Sequence, residues 1–342
     1  MKVRRWLAVV PMTALVLAAS ACGGDEKAET TTTTESGVRV GLVTDIGQLN
    51  DRGFNHLAFV GLERAEKELG VQGRVAESKS GADYIPNLST FAKQGYDLVI
   101  GVGFTEIDAM GKVAKRFPNT SFAIVDVANA DLAGKPKNVV GLLFKEQETG
   151  YLAGYLAGLV EKRRPGPDVV SSVGGQKQPP VDRFIAGYQA GAKAADPGIT
   201  TLNGYSQDFV DQTKCKEVAL NQIAQGSGVV FQVAGGCGLG ALDAAREKKV
   251  WGIGVDADQA FLGPHILTSS TKGVDTAVFL TIKSVKDGTF EGGTDSIFSL
   301  KEGGVGLGKI SAKVPKADVE KLNEVKQDII DGKIDIPTEV GG

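Results

Sequence analysis

The sequence predicts an α/β protein in which parallel sheets are flanked by helices, arranged as two similar halves in tandem. Three observations carry this. From Val38 onward, short apolar runs alternate with stretches of helical periodicity, the β-α-β-α order of a parallel sheet wrapped by helices. The chain has 342 residues, enough for about two domains at roughly 150 residues each. It holds 46 glycines against 14 Phe, 6 Tyr and 2 Trp in an otherwise ordinary composition, as many tight strand-to-helix turns require.

The first half opens with VRVGLVTD (38–45), a buried strand. The stretch 54–70 carries Leu57, Val60, Leu62, Ala65 and Leu69 at helical spacing and ends in Gly70, a suitable C-terminal cap. RVAES (74–78) follows as a strand, 84–94 as a helix, DLVIGVG (97–103) as a strand, 107–116 as a helix, then SFAIVDV (121–127) and VVGLLF (139–144) as strands. A second series begins after the helix 147–160. DVVSSVGG, ITTLNGYSQ, GVVFQVAG and VWGIGVDAD read as its strands, with helices near 181–195, 212–225 and 239–248 between them. PHILTSSTK (264–272) reads as extended, and 274–286 and 317–332 as helices. In open parallel sheets ligands bind outside the carboxyl ends of the strands. The residues at those ends are therefore the candidates: Asp45, Phe104, Asp126, the turns at 174–176 and 235–240, Asp256 and Asp258.

The amino terminus is an address. Lys2, Arg4 and Arg5 precede an apolar run over 7–19, the shape of a secretory signal and too short to span a bilayer. It ends LAASAC, and small residues before Cys22 resemble a bacterial lipoprotein signal, with cleavage after residue 21 and a lipid on Cys22. A plain signal peptide cut near Ala21 is the other reading. Residues 23–37 are polar and Thr-rich, so they bury too little to fold and read as a tether. The expected location is the outer face of the cell membrane, lipid-anchored.

Composition excludes several classes. With 38 Lys+Arg against 41 Asp+Glu, the charge balance does not point to nucleic acid. Only His56 and His265 are present, which rules out a His-rich metal centre; no metal, cofactor or catalytic residue is expected. GCGLGA (236–241) follows a strand, opens a helix and has Asp256 twenty residues beyond Gly236, the pattern of a dinucleotide fingerprint. An exported NAD-dependent enzyme is therefore one alternative, although His265 is its only nearby acid or base. Close backbone approach to some other polar ligand explains the same glycines. Cys215 begins a helix at the sheet's carboxyl edge and Cys237 lies just past the next strand at the same edge. In an oxidising compartment these two are expected to form a disulfide, closing a loop of about 20 residues worth roughly 3 kcal/mol; two buried thiols are the alternative.

Five segments, VTDIGQLNDRGFN (43–55), VIGVGF (99–104), FAIVD (122–126), ETGYLAGYLAG (148–158) and WGIGVDADQ (251–259), occur in this order behind the lipoprotein signal. The set resembles the basic membrane protein family, the purine-nucleoside-binding lipoproteins of ABC importers, from about residue 38 to at least 286. The resemblance implies the type I periplasmic-binding-protein fold: two α/β lobes, three hinge crossovers and a ligand enclosed between them. The lobes would comprise 38–146 plus about 272–300, and 147–271 plus about 303–342. It also implies a ligand set. Phe54 and Phe184 would be aromatic plates on a flat purine. Asp45 would accept from base or ribose donors, Asn55 and Asp126 would read base edges, and Gly236 would allow close backbone approach. Asp256 and Lys272 would hold the ribose hydroxyls. Asn50, Phe104 and Asp211 are outer candidates. For several of these a structural role stays open: Asp126 as a strand-end cap, Phe54 and Phe184 as core. The expected function is capture of a nucleoside, a purine above all, and delivery to the permease and ATPase subunits of an ABC importer. A sugar receptor of the same fold is the closest alternative, since aromatic plates also serve pyranose faces.

Overall fold

The computed structural model describes residues 37–341. The signal, the lipidation of Cys22 and nearly all of the tether lie outside the described residues. No described helix is long and apolar enough to cross a membrane.

Among the described residues, the strands in chain order are β1 (Arg39–Thr44), β2 (Gln72–Ala76), β3 (Leu98–Val102), β4 (Ser121–Val125), β5 (Val139–Phe144), β6 (Val169–Gly174), β7 (Thr200–Tyr205), β8 (Val229–Val233), β9 (Trp251–Asp256), β10 (Ile266–Lys272), β11 (Asp295–Phe298) and β12 (Val305–Leu307). The helices are α1 (Phe54–Leu69), α2 (Tyr84–Lys93), α3 (Ile107–Arg116), α4 (Glu146–Glu161), α5 (Pro179–Ala195), α6 (Gln212–Ala224), α7 (Gly238–Lys248), α8 (Val274–Lys286) and α9 (Lys316–Ile330).

The strands form two separate sheets, ordered β11-β5-β4-β3-β1-β2 and β12-β10-β9-β8-β6-β7. All pairings are parallel except that of β12, which runs antiparallel to β10. β3 and β8 are wholly buried, apolar throughout except for Gln232 in β8, as strands covered on both faces must be. On its outer face the first sheet packs Val43, Val99, Phe122 and Ile124 against α2 and α3. The second packs Val173 and Val230 against α6 and α7. The inner faces share one continuous core with α1, α4, α5 and α8.

The chain passes between the sheets three times: from β5 into α4, from β10 into α8, and from β11 to β12. β11 and β12 were not anticipated from the sequence. They are short edge strands of four and three residues. α4 starts at Glu146, one residue earlier than the sequence suggested, which brings a fully buried carboxylate into its first turn.

Candidate functional site

A cleft lies where the carboxyl ends of both sheets meet. The first sheet contributes Asp45 after β1, Gly103 and Phe104 after β3, and Asp126 after β4. The second contributes Gly235 and Gly236 after β8, Asp256 closing β9 and Lys272 closing β10. Helix starts complete the wall: Phe54 and Asn55 open α1, and Phe184 lies in the second turn of α5. Asp45, Phe54, Asn55, Phe104, Asp126, Phe184, Gly236, Asp256 and Lys272, scattered over more than two hundred positions, thus come together. The halves are close: a β-carbon on Gly53 would lie 3.7 Å from Asp256 Oδ2.

Several expected positions fall elsewhere. The turn at 174–176 and Asp258 do not line the cleft; Asp258 is exposed and its carboxylate accepts from the Ala260 and Lys309 N–H groups. Asp211 and Asn50 do not line it either. Asp211 is exposed and its carboxylate accepts from the Thr213 N–H at 2.9 Å, capping α6. Such a cap satisfies a helix-end donor that otherwise has none. Asn50 is exposed and lines a separate groove beside Gln212 and Leu242. Asn55 lines the cleft, but both donors of its amide are used within the protein. Nδ2 donates to Asp45 Oδ1 at 2.7 Å and to Asp51 Oδ2 at 3.0 Å, and its oxygen accepts from the Asp45 N–H at 3.2 Å. An amide has two N–H donors, so Asn55 braces Asp45 and has no donor to offer a base edge.

Sequence reasoning missed Asp51, Gln178 and Phe209, which also line the cleft. Asp51 accepts from the N–H groups of Gly53 at 2.9 Å and Asn55 at 2.8 Å, fixing the start of α1 and therefore Phe54. An acidic residue just before a helical pattern was the available signal. Phe209 sits in coil, where no periodicity marks it.

The dinucleotide-like glycines have a packing role. A side chain on Gly238 would overlap the Gln232 amide, and one on Gly240 the Gln212 carbonyl at the start of α6. The pattern seats α7 against its neighbours. Cys215 and Cys237 form a disulfide with Cα atoms 5.6 Å apart, tying the first turn of α6 to the residue after Gly236.

The electrostatics centre on Lys272, only 2% exposed. Its ammonium lies 2.6 Å from Asp126 Oδ1 and 3.0 Å from Glu146 Oε1. Glu146 Oε2 accepts from Arg183 Nε at 2.6 Å. Burial works against the lysine's charge, but Asp126, Glu146 and Asp256 together hold its pKa above the usual value. Aromatic rings surround the ammonium, with centroids at 5.1 Å for Phe54, 4.8 Å for Phe144 and 5.7 Å for Phe184. Asp126 and Asp256 follow or close the third strand from the same edge of their sheets, and both have left-handed backbones, φ 72° and 61°. Such strain in non-glycine residues concentrates at functional sites. Here one such carboxylate from each half lines the cleft together with Lys272.

Burial pushes Asp256 up to about 7, against the pull of Lys272. It pushes Asp45 up to about 6, against the hydrogen bond from Asn55. Glu106, buried behind Asp45, is raised well above its usual value by burial. Each native carboxyl therefore binds its proton more tightly than the unfolded chain does. For Asp45 and Asp256 this stability is fully present below the ordinary value of 3.8 and is lost as pH rises through about 6 and about 7 respectively. Asp208, held down at about 2 mainly by its hydrogen bond from Lys214, acts in the opposite sense, but only at lower pH. The ligand-free protein is thus expected to melt at a higher temperature near pH 5 than near pH 8. Asp256→Asn should flatten that slope; an unchanged slope by calorimetry would show that Asp256 is not its source.

Three comparisons extend this geometry. The family model described as ABC transporter substrate-binding protein PnrA-like matches residues 38–339. The CD4+ T-cell-stimulating antigen of Listeria innocua is 35% identical over 353 residues, covering 97% of each chain. The ABC transporter nucleoside-binding protein BmpA of Lactococcus lactis is 34% identical, covering 97% of this chain and 99% of that one. A solved ABC-transporter solute-binding protein from Aeropyrum pernix superposes with a TM-score of 0.80 at 29% identity, covering 89% of this chain and 94% of its own.

Proposed function

The chain belongs to the PnrA-like family of ABC-transporter substrate-binding proteins, and from that premise we propose that its cleft captures a nucleoside, a purine nucleoside by preference. Its fold is that of the type I periplasmic binding proteins, and proteins of this class work with permease and ATPase subunits. The observation that carries the reading is the pairing of Phe54 and Phe184. They come from opposite halves, each within 6 Å of the Lys272 ammonium, in a cleft whose polar wall is mostly carboxylate. A flat base fits between two rings, each adding about 0.5–1.5 kcal/mol beyond burial. Ribose hydroxyls supply the donors that Asp126 and Asp256 lack and an acceptor for Lys272. Hydrogen bonds to charged groups are worth roughly 1.5–3 kcal/mol each. Asp45 offers Oδ2 to the remaining edge, since Oδ1 is taken by Gly47 N and Asn55.

In this reading the two sheets belong to two lobes that move about the three crossings and close on the ligand, because only the closed state makes every contact. A lipid on Cys22 holds the chain at the outer membrane face. The relative from Lactococcus lactis, named a nucleoside-binding protein, supports the ligand class.

The test is mass spectrometry of the small molecule released on denaturing freshly purified protein, followed by calorimetry on the stripped, refolded chain. A purine nucleoside in the first and micromolar or tighter binding in the second are expected. Affinity should fall as pH drops through about 7, because Asp256 is a stronger acceptor for a hydroxyl when ionised than when protonated. Release of a sugar, or no nucleoside binding to stripped protein, overturns the assignment.

A further inference from the structure

We propose that Glu146, which does not line the cleft, is a positioning residue: it aims the Lys272 ammonium at the ligand and ties that ammonium to the crossings between the two halves. The ligand part of this rests on the nucleoside reading above.

The geometry is specific. Glu146 is fully buried as the first residue of α4, immediately after the first crossing. Lys272 is the last residue of β10, immediately before the second. Their 3.0 Å ion pair therefore joins two of the three crossings. The third is held from the same helical turn, where Glu148 Oε2 accepts from the Leu300 N–H at 2.7 Å. The other oxygen of Glu146 takes Arg183 Nε at 2.6 Å, and Arg183 directly precedes Phe184. One carboxylate thus links both crossings to the helix that carries an aromatic wall. Its place in the first turn of α4 also favours its charge, through the partial positive end of the helix.

Three acids surround Lys272, and they are not equivalent. Asp126 and Asp256 line the cleft, so a ligand competes for their oxygens. Glu146 is absent from the lining and keeps its hold whatever enters. An ammonium has three N–H donors. Glu146 Oε1 accepts one of them, while Asp126 Oδ1 lies 2.6 Å from the nitrogen as an ion-pair partner; between them they fix the orientation of the ammonium.

The experiment compares wild type with Glu146→Gln and Glu146→Asp in the full mature chain. In ligand-free protein, acetylation of Lys272 by acetic anhydride is followed by peptide mass spectrometry and expressed relative to Lys316, whose side chain is 91% exposed. Loss of one adjacent carboxylate lowers a lysine pKa by about one unit or more, so Glu146→Gln should raise the Lys272 ratio about tenfold, with Glu146→Asp between. In calorimetry, wild type should prefer a ribonucleoside over its 2′,3′-dideoxy analogue, and Glu146→Gln should narrow that preference about tenfold. A merely structural role would not change selectivity between these two ligands. An unchanged acetylation ratio in Glu146→Gln overturns the proposal. Should wild type bind no nucleoside, the functional reading fails and the acetylation ratio still decides this one. Should Glu146→Gln fail to fold, wild-type values in Glu146→Asp, which withdraws the carboxylate by one methylene, overturn it.

Discussion

Replacing Phe184 by alanine is expected to cost about 3–5 kcal/mol of folding free energy and to weaken ligand binding at least tenfold, whereas Phe54→Ala should lose binding with little loss of stability. The two rings face the same cleft but are seated differently. Phe184 is 3% exposed and packs edge-on against Phe231 with centroids 6.2 Å apart. Its removal opens a hole in the core shared by both sheets, and a cavity penalty is added to the lost transfer energy. Phe54 is half-buried at the first position of α1. Asp51, not the Phe54 ring, satisfies the donors at that helix start, so the helix keeps its anchor without the ring. Urea denaturation and calorimetry on the two variants separate the effects. Wild-type stability in Phe184→Ala would mean that its ring is a lid on the cleft and not part of the core.

That contrast marks the limit of what was legible in the sequence. Strand β5 and helices α3 and α8 appear with the bounds their patterns indicate, because buried runs and clean apolar periodicity determine them locally. β11 and β12 carry no such pattern. β11 alternates exposed and half-buried residues, and both are held by backbone pairing to strands far away in the chain. The strand-end carboxylates Asp45, Asp126 and Asp256 were readable because topology alone puts such positions at the cleft. Asn50 and Asp211 were not strand-end positions but outer candidates beside the resemblance; a loop residue beside a helix start has a local use for its side chain, and for Asp211 that use prevailed. Glu146 left no trace at all. Nothing near it in sequence distinguishes it from a solvated first-turn glutamate; its burial depends on Lys272, 126 positions away.

The glycines of α4 and α5 lead to the second large effect. Gly154→Ala is expected to destabilise the protein by about 3 kcal/mol, the upper end for overpacking. A side chain on Gly154 would overlap the carbonyl oxygen of Tyr188 in α5, and one on Gly191 of α5 would overlap the carbonyl of Tyr151 in α4. These are contacts with backbone, which cannot rotate away, so the helices must separate. Gly198→Ala is the control: its nearest neighbour, Asp196 Oδ1, lies 3.7 Å from the new carbon, and the change should stay within about 0.5 kcal/mol. The consequence reaches the site, because α4 begins with Glu146 and α5 carries Arg183 and Phe184. Separating the helices moves an aromatic wall away from Lys272, so Gly154→Ala should bind ligand less tightly even where it remains folded. Equal melting of Gly154→Ala and Gly198→Ala would mean that the two helices part without cost. The position of Phe184 would then have to be set by its contacts with the second sheet, and Phe231→Ala, not Gly154→Ala, would be the variant that disturbs the cleft.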